Sequence, residues 1–277
     1  MSAQRRHALI VNPSSGGGRG RALLPEAESA MNRHGLVHRT VLTRSLEHGV
    51  EEARAGGALA GTGAEIGILP GGRGNDFARV LGIPSDVEEA VAILAAGATR
   101  EVDVGEVNGK RFLCIASVGF DSDANRIANE TKWIRGNLVY AYAALRALAA
   151  WRPATFSLSL DGEAREVRGY AVAVANSKAY GGGMFVAPHA ELDDGLFDVV
   201  CTADGSKLSF LAGLPKVFKG THVEKDEVSV ERAAAVRVEA DRPFAVYADG
   251  EHISDLPATL RVLPRALRVI APAAGAA

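Results

Sequence analysis

The chain has 277 residues, with 31 Lys and Arg against 33 Asp and Glu, and a formal charge of -2. A chain of this length holds one large α/β domain or two smaller ones, and 47% hydrophobic residues mark it as globular. The balanced charge gives no basic field for nucleic acid, and no run approaches the roughly 20 apolar residues that cross a bilayer.

The nearest such run, Leu138 to Ala150, is short and carries Arg146. Residues 1–6 lead into a strand without an apolar signal region, so a cytoplasmic protein is expected. Cys114 and Cys201 both lie in apolar runs and are expected to be buried, reduced thiols.

In chain order, His7 to Asn12 is an apolar strand stopped by Pro13. Ala22 to His34 has helical spacing and ends at Gly35. Val37 to Leu42 is the next strand and Leu46 to Ala55 the next helix. A strand at Ile66 to Leu69 follows, then a helix from Asn75 broken near Gly82-Ile83-Pro84. Asp86 caps a helix through Ala96 that Gly97 ends. This alternation predicts a doubly wound α/β domain with a parallel sheet.

From Glu101 the pattern becomes β-rich. Strands are expected at Val102 to Val107, Arg111 to Val118, Phe156 to Leu160, Val167 to Ala175 and Leu196 to Thr202. Val228 to Val230, Ala235 to Glu239, Phe244 to Ala248 and Leu260 to Leu263 continue the set. Asn108-Gly109 and Asp161-Gly162 are hairpin turns, and Trp133 to Trp151 is the clearest helix. The expected division is 1–104 for the α/β domain, with 258–277 returning to it, and 105–257 for a β-rich, sandwich-like domain.

Pro70-Gly71-Gly72-Arg73-Gly74-Asn75-Asp76 carries most of the functional signal. Glycines let backbone N–H groups approach a bulky anion, and a helix start adds free donors. Arg73 supplies a guanidinium and Asp76 a ligand for a divalent cation beside the same phosphates. Asn12-Pro13-Ser14-Ser15-Gly16-Gly17-Gly18 is a second turn of this kind, also after a strand. In open α/β sheets such strand ends face one crevice, so the pair predicts a polyphosphate site.

Other candidates are weaker. Leu192-Asp193-Asp194-Gly195-Leu196 holds a cation or simply turns the backbone, and spacing alone favours the turn. Tyr247-Ala248-Asp249-Gly250-Glu251 places a potential general base, Glu251, beside Asp249; the bland reading is an Asp-Gly hairpin. Asp121 and Asp123 follow Gly119. Gly181-Gly182-Gly183 marks a backbone that bends sharply. Trp133, Tyr140 and Tyr142 form a stripe read as core. Lys132, Arg135, Arg146, Arg152, Lys216 and Lys219 are read as solvated, with attraction to an anionic membrane as the minority reading.

Taken in order, these segments resemble the soluble bacterial diacylglycerol kinases, relatives of the sphingosine and ceramide kinases. The resemblance rests on Val11-Asn12-Pro13 with Ser15-Gly16, Leu69 to Arg79 with Leu81 to Pro84, Val102 to Gly105 and Val118 to Asp121. Asn176 with Gly181 to Gly183, Pro188 to Asp198, Asp249 to Glu251 and Val262 to Pro264 extend it over nearly the whole chain.

It implies a nucleotide domain, a lipid domain, and transfer of the ATP γ-phosphate to the hydroxyl of a membrane-derived, diacylglycerol-like lipid. Asn12, Ser15, Gly16, Thr43, Gly72, Arg73, Asn75 and Asp76 would contact ATP and its Mg²⁺. Glu251 with Asp249 would serve catalysis, Asp121 and Asp123 the lipid. Glu191, Asp194 and the Leu196 carbonyl would hold a structural Mg²⁺. Arg73 stands where many members have threonine. A peripheral contact at the inner membrane surface fits this reading, and the oligomeric state, a dimer included, is left open.

One family motif is missing. Gly-Gly-Asp-Gly-Thr should lie between Thr43 and Ile66, but that interval offers only Gly56-Gly57 and Gly61-Thr62-Gly63. A strand, a phosphate-cradling turn and most of a helix are skipped, and with them the family's Mg²⁺–nucleotide aspartate. The alternative reading is therefore a pseudokinase that binds lipid or nucleotide without turnover.

Overall fold

A computed structural model describes residues 6–55, 64–131, 133–134 and 138–273. The chain divides into two compact units, Met1–Val102 with Arg265–Ala277, and Asp103–Pro264. The corresponding sequence boundaries were 104 and 258.

In the first unit, β1 (His7–Val11) leads through a glycine turn and a single turn of helix, α1 (Arg19–Ala22), into α2 (Leu24–Arg33). The expected single helix from Ala22 thus breaks at Leu23, where α2 restarts with Pro25 in its first turn, a position that needs no N–H. β2 (His38–Leu42) pairs parallel with β1, Val11 opposite Leu42. α3 (Leu46–Ala55) follows. β3 (Glu65–Ile66) is two residues long, shorter than the expected Ile66 to Leu69.

Next come α4 (Asp76–Val80) and α5 (Val87–Ala96); Asp86 caps α5 by accepting the Glu89 N–H at 3.0 Å. α2 and α5 pack through Ala27, Ala30, Met31, Val87 and Val91, a stripe at helical spacing that also receives Leu9, Leu36 and Leu69.

The second unit holds the rest of β4 (Thr99–Val107), then β5 (Lys110–Phe112), β6 (Ile115–Gly119), α6 (Phe120–Glu130) and α7 (Leu138–Ala150). β7 (Ala154–Leu160), β8 (Glu163–Ala175), β9 (Phe197–Ala203) and α8 (Lys207–Val217) follow. β10 (Val228–Ala233), β11 (Ala235–Ala240), β12 (Ala245–Ala248), β13 (Glu251–Asp255) and β14 (Ala258–Ile270) complete it. β14 begins in this unit and ends in the first, where Arg268 and Val269 pair parallel with Glu65 and Ile66 of β3.

Antiparallel pairing runs β13-β12-β6-β8-β7-β11-β14, with β9 and β10 branching from β8. The Asp161-Gly162 turn joins β7 to β8 with both residues at positive φ, the two-residue hairpin its sequence demands. Phe120, Trp151, Phe156, Tyr170, Phe197 and Phe244 anchor one continuous core. Both cysteines are buried and neither is in a disulfide, and burial pushes the Cys201 thiol up to about 12.

Two further elements differ from the sequence expectation. The predicted strand from Arg111 to Val118 is two strands, because Leu113 and Cys114 turn their N–H groups onto Asp249. The helix expected from Trp133 is described over Leu138–Ala150, with Trp133 outside it; Trp133 stacks edge-on against Tyr142 at 5.3 Å and is 74% exposed, so this end of the stripe is not core. Lys132, Arg135, the Tyr140 side chain and the glycines at 56–57 and 61–63 lie outside the described residues. No described helix is long and apolar enough to cross a membrane.

Candidate functional site

In the first unit the two glycine turns touch. Ser15 Oγ donates to the Gly71 carbonyl at 3.4 Å. Gly16 sits at φ 60°, and a Cβ there would lie 2.7 Å from that same carbonyl. A Cβ on Gly20 would lie 2.6 Å from the Asn12 carbonyl, so only glycines permit this close approach. Thr43 follows β2 and donates its N–H to the Val11 carbonyl at 2.9 Å, which sets it beside the first turn. Asn12, Ser15, Gly16, Thr43, Gly72, Asn75 and Asp76 thus belong to one neighbourhood.

The Asn12 side chain accepts the Ser14 N–H at 3.0 Å, and Asn75, at φ 52°, grips both the N–H and carbonyl of Gly72 at 2.8 and 3.2 Å. Both asparagines therefore shape the turns that carry them. Arg73 is exposed. Asp76 has a largely buried side chain at the start of α4 and lies 3.9 Å from the Arg79 guanidinium. These residues fit a polyphosphate with its Mg²⁺: Asp76 and Arg73 as charged groups, Ser15, Gly16 and Gly72 as a cradle free of Cβ atoms.

In the second unit, Ala248 and Glu251 pair across a turn in which Asp249 and Gly250 both have positive φ. The Asp249 carboxylate accepts N–H bonds from Leu113, Cys114 and Ile115 at 2.7, 2.9 and 3.3 Å. Asp249 thereby holds the β12–β13 turn against the start of β6. Glu251, the first residue of β13, is exposed at the end of that fixed turn.

The expected structural Mg²⁺ site does not fit the residues present. The Asp194 carboxylate accepts the Leu196 N–H at 2.9 Å and is ion-paired with Arg232, whose Nε lies 3.3 Å from Asp198. A guanidinium thus supplies the positive charge at this turn, and Glu191 points outward, exposed. Burial, reinforced by Glu191 and opposed by His189, raises the pKa of Asp198. Among the described residues no cluster of three His, Cys, Asp or Glu could hold a metal.

Asp121 and Asp123 separate. Asp123 faces Arg126 at 3.6 Å. Asp121, in the first turn of α6, lines an apolar cavity of about 110 Å³, and burial lifts its carboxyl to about 6. Tyr170 and Ala173 of β8, Val200 of β9, and Phe210, Gly213 and Leu214 of α8 form the walls. His222 closes one side; its Nε2–H donates to the Val186 carbonyl at 3.0 Å while its Nδ1 is buried without a partner. Tyr180 and Met184 bridge across Gly181–Gly183, all three at positive φ, to form a lip.

Asp103 braces this region, a role its spacing did not single out. It is fully buried, its carboxylate accepts the Gly195 N–H at 2.7 Å, and Asn176 donates to its carbonyl at 3.0 Å and to that of Leu113 at 2.8 Å. One knot thereby ties the middle of β4 and the end of β8 to the Asp194 turn. A charged residue in the otherwise apolar run Val102 to Val104 was the available signal.

A glycine-turn α/β unit and a β-rich unit with an apolar cavity define a two-domain protein of mixed α/β class. Comparison with known proteins gives the particular family. A model described as the YegS C-terminal NAD kinase beta sandwich-like domain matches residues 114–271, and the diacylglycerol kinase catalytic domain matches 53–107. A diacylglycerol kinase of Mycobacterium tuberculosis is 41% identical over 224 residues, 78% of this chain and 72% of that protein. A probable YegS-like lipid kinase of Pseudomonas aeruginosa is 35% identical over 216 residues, 76% of this chain and 69% of that protein. A crystal structure of a putative diacylglycerol kinase from Bacillus anthracis shares the fold with a TM-score of 0.78 at 20% identity, covering 99% of both chains. The chain belongs to the bacterial diacylglycerol and lipid kinase family.

Proposed function

We propose that this protein transfers the γ-phosphate of ATP to the hydroxyl of a diacylglycerol-like lipid, with Mg²⁺ accompanying the nucleotide. The contact between the Ser15-Gly16 and Gly71-Gly72 turns carries this reading, since close backbone approach at glycine serves a bulky anion. Ser15, Gly16 and Gly72 would cradle phosphates, Arg73 would clamp them, and Asp76 would face the metal. Bound Mg-ATP supplies the phosphoryl group and neutralises its charge. Glu251 would take the proton of the lipid hydroxyl, and Asp249 would keep it in place through the rigid turn. The cavity beside Asp121 would receive the lipid's apolar part. The protein would work in the cytoplasm, peripherally at the inner membrane surface.

The test is ATP turnover with dispersed diacylglycerol, wild type against Glu251→Gln. A fall of about 10²–10⁴ in rate is expected for a lost general base; equal rates would remove Glu251 from that role.

A specific observation favours a second reading, a pseudokinase that binds without turnover. Between Thr43 and Ile66 the chain lacks the family's Gly-Gly-Asp-Gly-Thr segment, and with it the aspartate and turn N–H groups that would meet Mg-ATP. Lipid retention with no ATP consumption would establish this reading, and measurable turnover would refute it.

A further inference from the structure

The helix α8 presents apolar side chains on both of its faces. Phe210, Gly213, Leu214 and Val217 turn inward onto the cavity. Leu208, Leu211, Ala212 and Pro215, at the spacing i, i+3, i+4, i+7, are exposed on the other side, Leu208 by 79%, and Phe218 just beyond the helix by 54%. A surface helix of a globular protein normally turns a polar face outward. This one does the reverse, and its polar groups gather at the ends.

Those groups are of one sign. Residues 207–220 contain Lys207, Lys216 and Lys219 and no acidic residue. Lys207 donates to the Ala149 carbonyl at 2.9 Å, and Lys216 and Lys219 are exposed. An apolar stripe bracketed by lysines is the pattern of a helix lying in the headgroup region of an anionic bilayer, leucines among the acyl chains and ammonium groups at the phosphates.

We infer that α8 docks this protein on an anionic lipid surface, its outer face in the bilayer and its inner face walling the cavity that receives the lipid. The inference rests on the lipid-kinase reading for the identity of the cargo, but the docking itself is separable from turnover. A helix one layer thick between membrane and cavity also gives the lipid a short path: α8 need only tilt for an acyl chain to pass.

The test is co-sedimentation of the full chain with vesicles of phosphatidylcholine, with and without phosphatidylglycerol. Wild type is expected to bind the anionic vesicles, less so at high salt. Leu208→Glu with Leu211→Glu should weaken that binding tenfold or more, with an unchanged thermal melt because both sites are already exposed. Lys216→Glu with Lys219→Glu should abolish the preference for anionic vesicles. Val37→Glu, on an exposed apolar residue of the other unit, should bind as wild type does. Wild-type binding by the leucine variant would overturn the inference. So would a wild-type dimer that the leucine variant splits while vesicle binding is absent, since the stripe would then bury against a second copy. A protein that binds vesicles yet phosphorylates no lipid would leave the docking standing and remove the kinase reading alone.

Discussion

Replacing Asp249 with Ala strips an acceptor from three backbone N–H groups at once. Charge-assisted bonds of this kind contribute more than neutral ones, and donors left without a partner add their own penalty. Asp249→Ala should lose about 2–4 kcal/mol in urea unfolding, whereas Glu251→Gln, on an exposed side chain, should leave the unfolding midpoint where it is. Equal stability of the two variants would show that the turn is not held as described. Asp121 gives a pH signature. Burial raises its folded pKa from 3.8 to about 6, so the folded state binds the proton more tightly than the unfolded chain does. Stability from this residue is therefore greatest below about pH 4 and falls as pH rises through 6. Asp121→Asn should remove that slope. The difference in unfolding free energy between wild type and Asp121→Asn, measured at pH 4.5 and 7.5, should change by about 1–3 kcal/mol.

At the scale of elements, the Asp194 turn and the glycine turns make separate predictions. Because Arg232 already neutralises Asp194 and Asp198, dialysis against EDTA should leave the melting temperature unchanged. Arg232→Ala leaves two carboxylates without their cation, and should lower it. A drop on EDTA treatment of wild type would restore the metal reading. Gly16→Ala forces a Cβ against the Gly71 carbonyl in a left-handed backbone, and should destabilise the first unit by about 1–2 kcal/mol. It should also weaken ATP binding measured by calorimetry. Many elements were legible: α5 from its Asp86 cap and Gly97 stop, the β7–β8 hairpin from Asp161-Gly162, the paired turns from their glycines. α8 was invisible because apolar residues on both faces erase the 3.6-residue rhythm. α6 was hidden behind Gly119-Phe120-Asp121, which reads as an acidic loop until Ser122 is seen capping it. The Asp249 anchor could not be read at all, since its donors at 113–115 are brought to it only by the fold.

For the whole molecule, the two units rest on different amounts of buried structure. The second has a continuous aromatic and aliphatic core, with Phe156, Phe197 and Val172 fully enclosed. In the first, every residue of β1 is only half-buried, and Val37, Leu42, Leu46 and Val50 remain exposed. A parallel strand is ordinarily covered on both faces and paired on both edges. Amides of β1 and β2 should therefore exchange with deuterium before those of β8 and β9, which lie inside an antiparallel network. Simultaneous exchange of the two units would show that the first is as firmly held as the second.

The β12–β13 hairpin also has a consequence for how its sequence can drift. Its register already slips once, between Val246 and Tyr247, and is pinned at Asp249. Substitutions at His252 and Asp255, both exposed, change what the outer strand displays. A one-residue insertion between that pin and position 251 would flip the glutamate to the opposite side of the ribbon. The length of this short ribbon is thus under tighter constraint than its composition.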